Sequence, residues 1–275
     1  MSGPRALLDH YDIQPKKSLG QNFLHDPGVL DKIAAAAGLT PADTVLEIGP
    51  GTGALTERLA AAARRVVAVE ADTRLQPVLA ERLAGRANVE IVYADFLTVN
   101  VAALMGPEPF IVAANLPYYI TSAILRALLD TPPRPRRLVL TVQQEVADRL
   151  TAAPGDLSLL AVSVQFYGQT RLVARINPAA FWPRPDVDSA VVRIDVYDRP
   201  PVDAPDERLF FRVVRAGFSQ KRKQLKNSLG AGLGLSGGAA AALLEQAGID
   251  PRRRAETLAL AEWAALARAA ADGLL

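Results

Sequence analysis

Residues 45–56 read VLEIGPGTGALT. A run that is apolar but for Glu47, from Val45 to Ile48, ends in glycines at alternate positions, Gly49, Gly51 and Gly53, and the apolar spacing then lengthens to that of a helix. A strand that turns into a helix through glycine lets backbone approach a ligand closely and aims the first helical N–H groups at it. By itself the pattern is weak. With Ala54 it also satisfies the dinucleotide spacing G-x-G-x-x-G/A, and Glu70 follows about twenty residues later, where a ribose-binding acid is expected.

Outward from this turn, short β-branched runs alternate with helical spacing. The runs are TVLEIG (44–49), RRVVAVEAD (64–72), NVEIVYAD (88–95), PFIVAANL (109–116) and RRLVLTVQ (136–143); ALTERLAAAA (54–63) and TRLQPVLAERLAG (73–85) lie between them. Strand then helix, repeated, predicts a doubly wound, mostly parallel α/β sheet. After QQEVADRL the pattern changes to a long apolar segment, LSLLAVSVQFYG (157–168). Two further runs, TRLVARIN (170–177) and DSAVVRIDVY (188–197), are placed to add antiparallel strands at one edge. The expected organisation is a Rossmann-like domain over 1–197 and a proline- and acid-rich linker, DRPPVDAPDE, over 198–207. A small all-α domain follows over 208–275, interrupted by the glycine-rich LGAGLGLSGG (229–238).

Composition narrows the function classes. A chain of 275 residues holds one large core and a satellite, and half its residues are apolar, yet no run approaches the roughly 18–20 apolar residues that span a bilayer. Without a leader-like N-terminal pattern, a soluble, cytoplasmic protein with no membrane partner is expected. There is no cysteine, and His10 and His25 are the only histidines, so no metal is expected. The formal net charge of +2 says little by itself, and the position of the basic residues matters more.

Three successive strand ends carry ligand-type residues. Glu70 can accept from ribose hydroxyls, and Asp95, ending VYAD, can accept from an adenine amino group at the same sheet edge. The bland alternative is that each acid caps the helix after it. The fourth strand end is Asn115-Leu116-Pro117-Tyr118, within AANLPYYIT (113–121), which matches the N-x-P-Y pattern of enzymes that methylate an exocyclic base amine. The lone pair of adenine N6 is delocalised into the ring. If the Asn115 side-chain oxygen and the Leu116 carbonyl each accept one of its hydrogens, the nitrogen is drawn toward tetrahedral geometry and its lone pair points at a methyl donor. Pro117 fixes the carbonyl's direction, and Tyr118 offers a ring for the base. Phe181, in AFWPRPDVDSAVV (180–192), is placed to close the other side of an extracted base, or else fills core together with Trp182. In the helical part, Arg215, Lys221, Arg222, Lys223 and Lys226 form a cluster without acids, suited to phosphates, with Phe218 and Leu225 as its anchors.

KKSLGQNFLHD (16–26), VLEIGPGTGALT, VVAVEAD, VYADF, ANLPYYIT, FWPRPDVDSAVV and GFSQKRKQLKNSL (217–229) occur in the order seen in the KsgA-type small-subunit ribosomal RNA adenine dimethyltransferases, which this chain resembles from about Lys16 to about Leu229. The resemblance implies a class I methyltransferase that uses S-adenosylmethionine to dimethylate N6 of two adjacent adenosines near the 3′ end of small-subunit rRNA. It also implies that the partner is this rRNA within a late pre-30S particle. Carried over, the cofactor contacts fall on Gln21, Asn22, Leu24, Gly49, Glu70, Asp95 and Asn115, with Gly51 in the same turn; GQNFL (20–24) then acts as a lid. Tyr119 stands where a smaller Asn is expected, which bears on the fit of the target base. Three other readings compete. A nicotinamide oxidoreductase leaves NLPY and GQNFL without a role; a macrolide-resistance-type methyltransferase of large-subunit rRNA is expected to carry a serine-led lid and NIPY; and a non-catalytic RNA clamp has no need of the acceptor tetrad.

Overall fold

The computed structural model describes residues 3–274. Nine strands form: β1 (Phe23–Leu24), β2 (Thr44–Ile48), β3 (Arg65–Glu70), β4 (Val89–Tyr93), β5 (Phe110–Asn115), β6 (Arg137–Gln143), β7 (Gly168–Ile176), β8 (Phe181–Trp182) and β9 (Ser189–Val196). Seven of them make one sheet in the order β4-β3-β2-β5-β6-β9-β7, and β1 pairs with β8 separately. Strands β2 to β6 are the five runs expected from the sequence, all parallel, and β9 joins β6 antiparallel, with Thr141 opposite Val191. The near-continuous apolar content of β2, β5 and β6 follows from cover on both faces of a parallel sheet. The order reverses between β2 and β5, and the cleft at that switch point lies beyond the carboxyl ends of both strands.

The chain divides into two compact units: residues 1–147 with 170–196, and residues 148–169 with 197–275. This differs from the expected boundary at 197. Residues 148–169, which carry the helix Leu159–Tyr167, cluster with the C-terminal helices, because Phe166 stacks on Phe210 at 4.5 Å and meets Phe211 edge-on at 5.1 Å. An apolar helix joins whichever core offers partners for its rings, and chain order does not set that choice.

The second unit contains the helices Glu207–Gly217, Leu225–Leu233, Gly237–Gln246 and Leu260–Leu274. The first begins at an Asp206 cap that accepts from Leu209 N at 2.9 Å, directly after the proline-rich stretch. The expected glycine interruption is shorter than the sequence suggests, since a helix continues through Gly230 and Gly232 and ends only at left-handed Gly234. Among the described residues no helix is long and apolar enough to cross a membrane.

Candidate active site

A cavity of about 430 Å³ opens over the ends of β2, β3 and β5. The glycine turn forms its floor, with Gly49 at φ 70° and Gly51 at φ 58°, conformations that glycine adopts at least cost. A Cβ on Gly51 would sit 3.0 Å from the Phe23 ring, so the N-terminal segment lies directly against the turn.

Glu70, Asp95, Gln21, Asn22, Leu24, Asn115, Leu116, Pro117 and Tyr118 all line this cavity, so the sequence-predicted residues meet in one place with Gly49 and Gly51. Glu70 accepts from Gly51 N at 3.0 Å and from Asp72 N at 2.8 Å, which ties the end of β3 to the glycine turn. Its burial pushes the carboxyl up, and these two backbone bonds act against that rise. Asp95 accepts from Leu97 N at 3.0 Å through Oδ1, so the capping role and a place in the cavity wall coexist. Glu47 was not among the predicted site residues. It is the penultimate residue of β2, 1% exposed, lines the cavity, and its Oε2 has no hydrogen-bond partner among the described residues. Burial raises its pKa to about 8; the neighbouring Thr56 hydroxyl opposes the rise, and the Glu70 carboxylate adds to it.

The geometry at the end of β5 is specific. Asn115 donates from Nδ2 to the Asn22 carbonyl at 2.9 Å, which turns its Oδ1 away as an available acceptor. Leu116 N donates to the Thr141 carbonyl at 3.2 Å, and no described group donates to the Leu116 carbonyl. Pro117 holds φ at −59° and ψ at 130°. The Tyr118 hydroxyl is hydrogen bonded to Ser189 Oγ at 2.6 Å, which fixes its ring to the start of β9, and burial raises its pKa while that bond opposes the rise. Tyr119 is 63% exposed at the rim, its ring against Gly20.

Phe181 is elsewhere. Pairing of β8 with β1 sets it opposite Leu24, and the ring lies 3% exposed in the core with Leu30 and Ile33, outside the cavity wall. Alternation along the two-residue strand sends Phe181 and Trp182 to opposite faces, so the core-filling alternative describes Phe181. His25 is exposed, and Asp26 caps the next helix by accepting from Val29 N at 2.9 Å with Pro27 at its first turn.

In the second unit, Lys221, Arg222 and Lys223 lie exposed on the loop between two helices, near exposed Arg215 and half-buried Lys226. None of the five forms an ion pair with a described residue, whereas Arg252 pairs with Asp250, Arg253 with Glu262 and Arg254 with Glu256. The expected anchors are in place: Leu225 is buried and Phe218 packs on Trp263 at 5.5 Å.

The ribosomal RNA adenine dimethylase family model matches residues 13–272. A ribosomal RNA small subunit methyltransferase A from Pelotomaculum thermopropionicum is 48% identical, with 96% of this chain and 94% of that protein covered. Among solved structures, the 23S rRNA methyltransferase ErmE is 32% identical with a TM-score of 0.74, covering 90% of this chain and 99% of that one. A dimethyladenosine transferase from Plasmodium falciparum is 26% identical with a TM-score of 0.76, covering 89% and 95%. With the seven-stranded sheet and the strand-end cavity on the same chain, this near-complete match means that the chain belongs to the ribosomal RNA adenine dimethylase family.

Proposed function

We propose that this chain dimethylates N6 of two adjacent adenosines near the 3′ end of small-subunit rRNA, with S-adenosylmethionine as methyl donor, on a late pre-30S particle in the cytoplasm. The observation that carries the chemistry is the pinned carboxamide: Asn115 gives its nitrogen to Asn22 and keeps its oxygen for the amine. The Leu116 carbonyl provides the second acceptor, so both N6 hydrogens are held while the lone pair stays free. No general base is required at the moment of attack, because the product ammonium is acidic and loses its proton afterwards.

The cavity suits the cofactor. Glu70 serves ribose hydroxyls, Asp95 the adenine amine, and Gly49, Gly51, Gln21, Asn22 and Leu24 enclose the rest. The Glu47 Oε2 without a described partner adds a polar group to the cavity wall, where the mostly protonated carboxyl can hydrogen bond to a ligand. When bound, S-adenosylmethionine supplies an electrophilic methyl on a sulfonium. Tyr118, braced by Ser189, is the stacking platform, and the buried Phe181 leaves it without the expected second ring. The unpaired cations at Arg215, Lys221, Arg222, Lys223 and Lys226 position RNA by its phosphates.

The choice of subunit rests on the 48% identity to a small-subunit enzyme, against 32% to the large-subunit enzyme of the alternative reading. Radiolabelled methyl transfer onto small and large subunits that lack the modifications, followed by mapping of the labelled nucleotides, tests it. Label on two neighbouring small-subunit adenosines is expected, with naked short RNA a poor substrate; label confined to large-subunit RNA overturns the reading.

A further inference from the structure

The N-terminal segment over the cavity is tied down from one side by Asp72 and Arg74, to which the sequence reading gives no role. Gln21 donates from Nε2 to Asp72 Oδ2 at 2.8 Å, and its Oε1 accepts from Lys16 N at 2.7 Å. Asp72 is 3% exposed and bound by Arg74 through two charge-assisted bonds, Nε to Oδ1 at 2.8 Å and Nη2 to Oδ2 at 2.6 Å. Arg74 reaches on to the Gln14 carbonyl at 3.2 Å, so the segment before Lys16 is held by the same pair. Directly after Gln21 comes Asn22, whose carbonyl orients Asn115. We infer that Asp72, fixed by Arg74, is a positioning residue: it latches Gln21 so that the Asn22 carbonyl holds the Asn115 carboxamide with its oxygen toward the target amine. The idea deepens the methyl-transfer reading proposed above and rests on it for its kinetic consequence.

The chemistry favours a latch over incidental packing. A carboxylate held by a guanidinium keeps its charge across the working pH range, and the Arg74 pair holds Asp72 down at about 2. Of the two polar ends of Gln21, one is held by that carboxylate and the other by its own chain, which fixes the direction of the peptide between residues 21 and 22. A shift of that peptide moves the only acceptor for Asn115 Nδ2 among the described residues, and the carboxamide is then free to rotate and offer nitrogen to an amine.

Reversing the bond tests the inference. Gln21→Glu sets carboxylate against carboxylate, and adding Asp72→Asn moves the negative charge across the contact: the new carboxamide keeps its oxygen for Arg74 Nε and donates from nitrogen to the carboxylate at position 21, with which Arg74 Nη2 then pairs. Two readouts are taken on the full chain: tryptic cleavage after Lys16 and Lys17 without cofactor, and kcat at saturating S-adenosylmethionine on unmodified small subunits. For Gln21→Glu alone, cleavage is expected to rise and kcat to fall by about tenfold each, and the double variant should return both to within about threefold of the parent. Additive losses in the double variant overturn the latch, and rescue of cleavage without rescue of kcat overturns its role in positioning. A parent chain that transfers no methyl defeats the underlying reading instead, and the cleavage arm still decides the latch.

Discussion

Glu47 titrates at about 8 in the folded chain against 4.5 ordinarily, so between those values the folded state holds a proton that the unfolded state has released. Its contribution to stability is complete below pH 4.5 and drains away as pH rises to 8, with a slope of up to about 1.4 kcal/mol per pH unit. Glu47→Gln removes the titration, so the difference in urea-unfolding free energy between variant and parent should grow in the variant's favour from pH 6 to pH 8.5; a constant difference contradicts the burial argument. Tyr118→Phe removes the bond to Ser189 while keeping the ring, and should slow transfer by about fivefold to tenfold through looser placement of the base, measured as kcat at saturating cofactor. Asn115, Glu70 and Asp95 were legible in the sequence because each lies at or just past the end of a strand on the same sheet edge. Phe181 was legible only as an aromatic in a proline-rich loop, since its facing depends on a pairing with residues 23–24 that local spacing does not encode. Asp72 was hidden behind Glu70, where a second acid reads as a helix cap, and it does also accept from Arg74 N at 3.3 Å.

At the scale of elements, five parallel strands were visible from their β-branched runs, and the structure places all five. The end of the helix Leu225–Leu233 was not, because Gly230 and Gly232 argue locally for a break from residue 229 onward. Gly232 answers a tertiary demand, since a Cβ there would lie 2.6 Å from Ala216 Cα, and so does Gly217 of the preceding helix, where a Cβ would lie 2.4 Å from Trp263 Cη2. The helix Glu207–Gly217 and its neighbours therefore approach closer than any side chain permits. Gly232→Ala meets backbone that cannot step aside and should destabilise the second unit by about 1–3 kcal/mol, despite the better helix propensity of alanine. Thermal unfolding checks this, and an unchanged or raised midpoint contradicts the close packing.

At the scale of the whole molecule, charge is sorted by whether it is already paired. Arg252, Arg253, Arg254 and Arg136 spend their charge on nearby acids, while Lys221, Arg222 and Lys223 stand exposed without a described partner. Changing these three to Ala should weaken binding to small subunits and reduce the slope of log K against log salt by about 2–3, with cofactor affinity unchanged. Equal slopes for parent and variant would assign the loop to ordinary solvated surface. The sequence exposed this cluster by its lack of acids, but the division into compact units escaped it, since Phe166 joins the C-terminal rings through contacts far apart in the chain. The proposed function turns on one event, the transfer of a methyl group to an amine held by Asn115 and Leu116. Its most direct test is the single-turnover rate of Asn115→Ala on unmodified small subunits, with cofactor affinity measured in parallel. A loss of about a hundredfold or more, on the order of 3 kcal/mol, with cofactor affinity changed far less, is the predicted result, and near-parental turnover would contradict it.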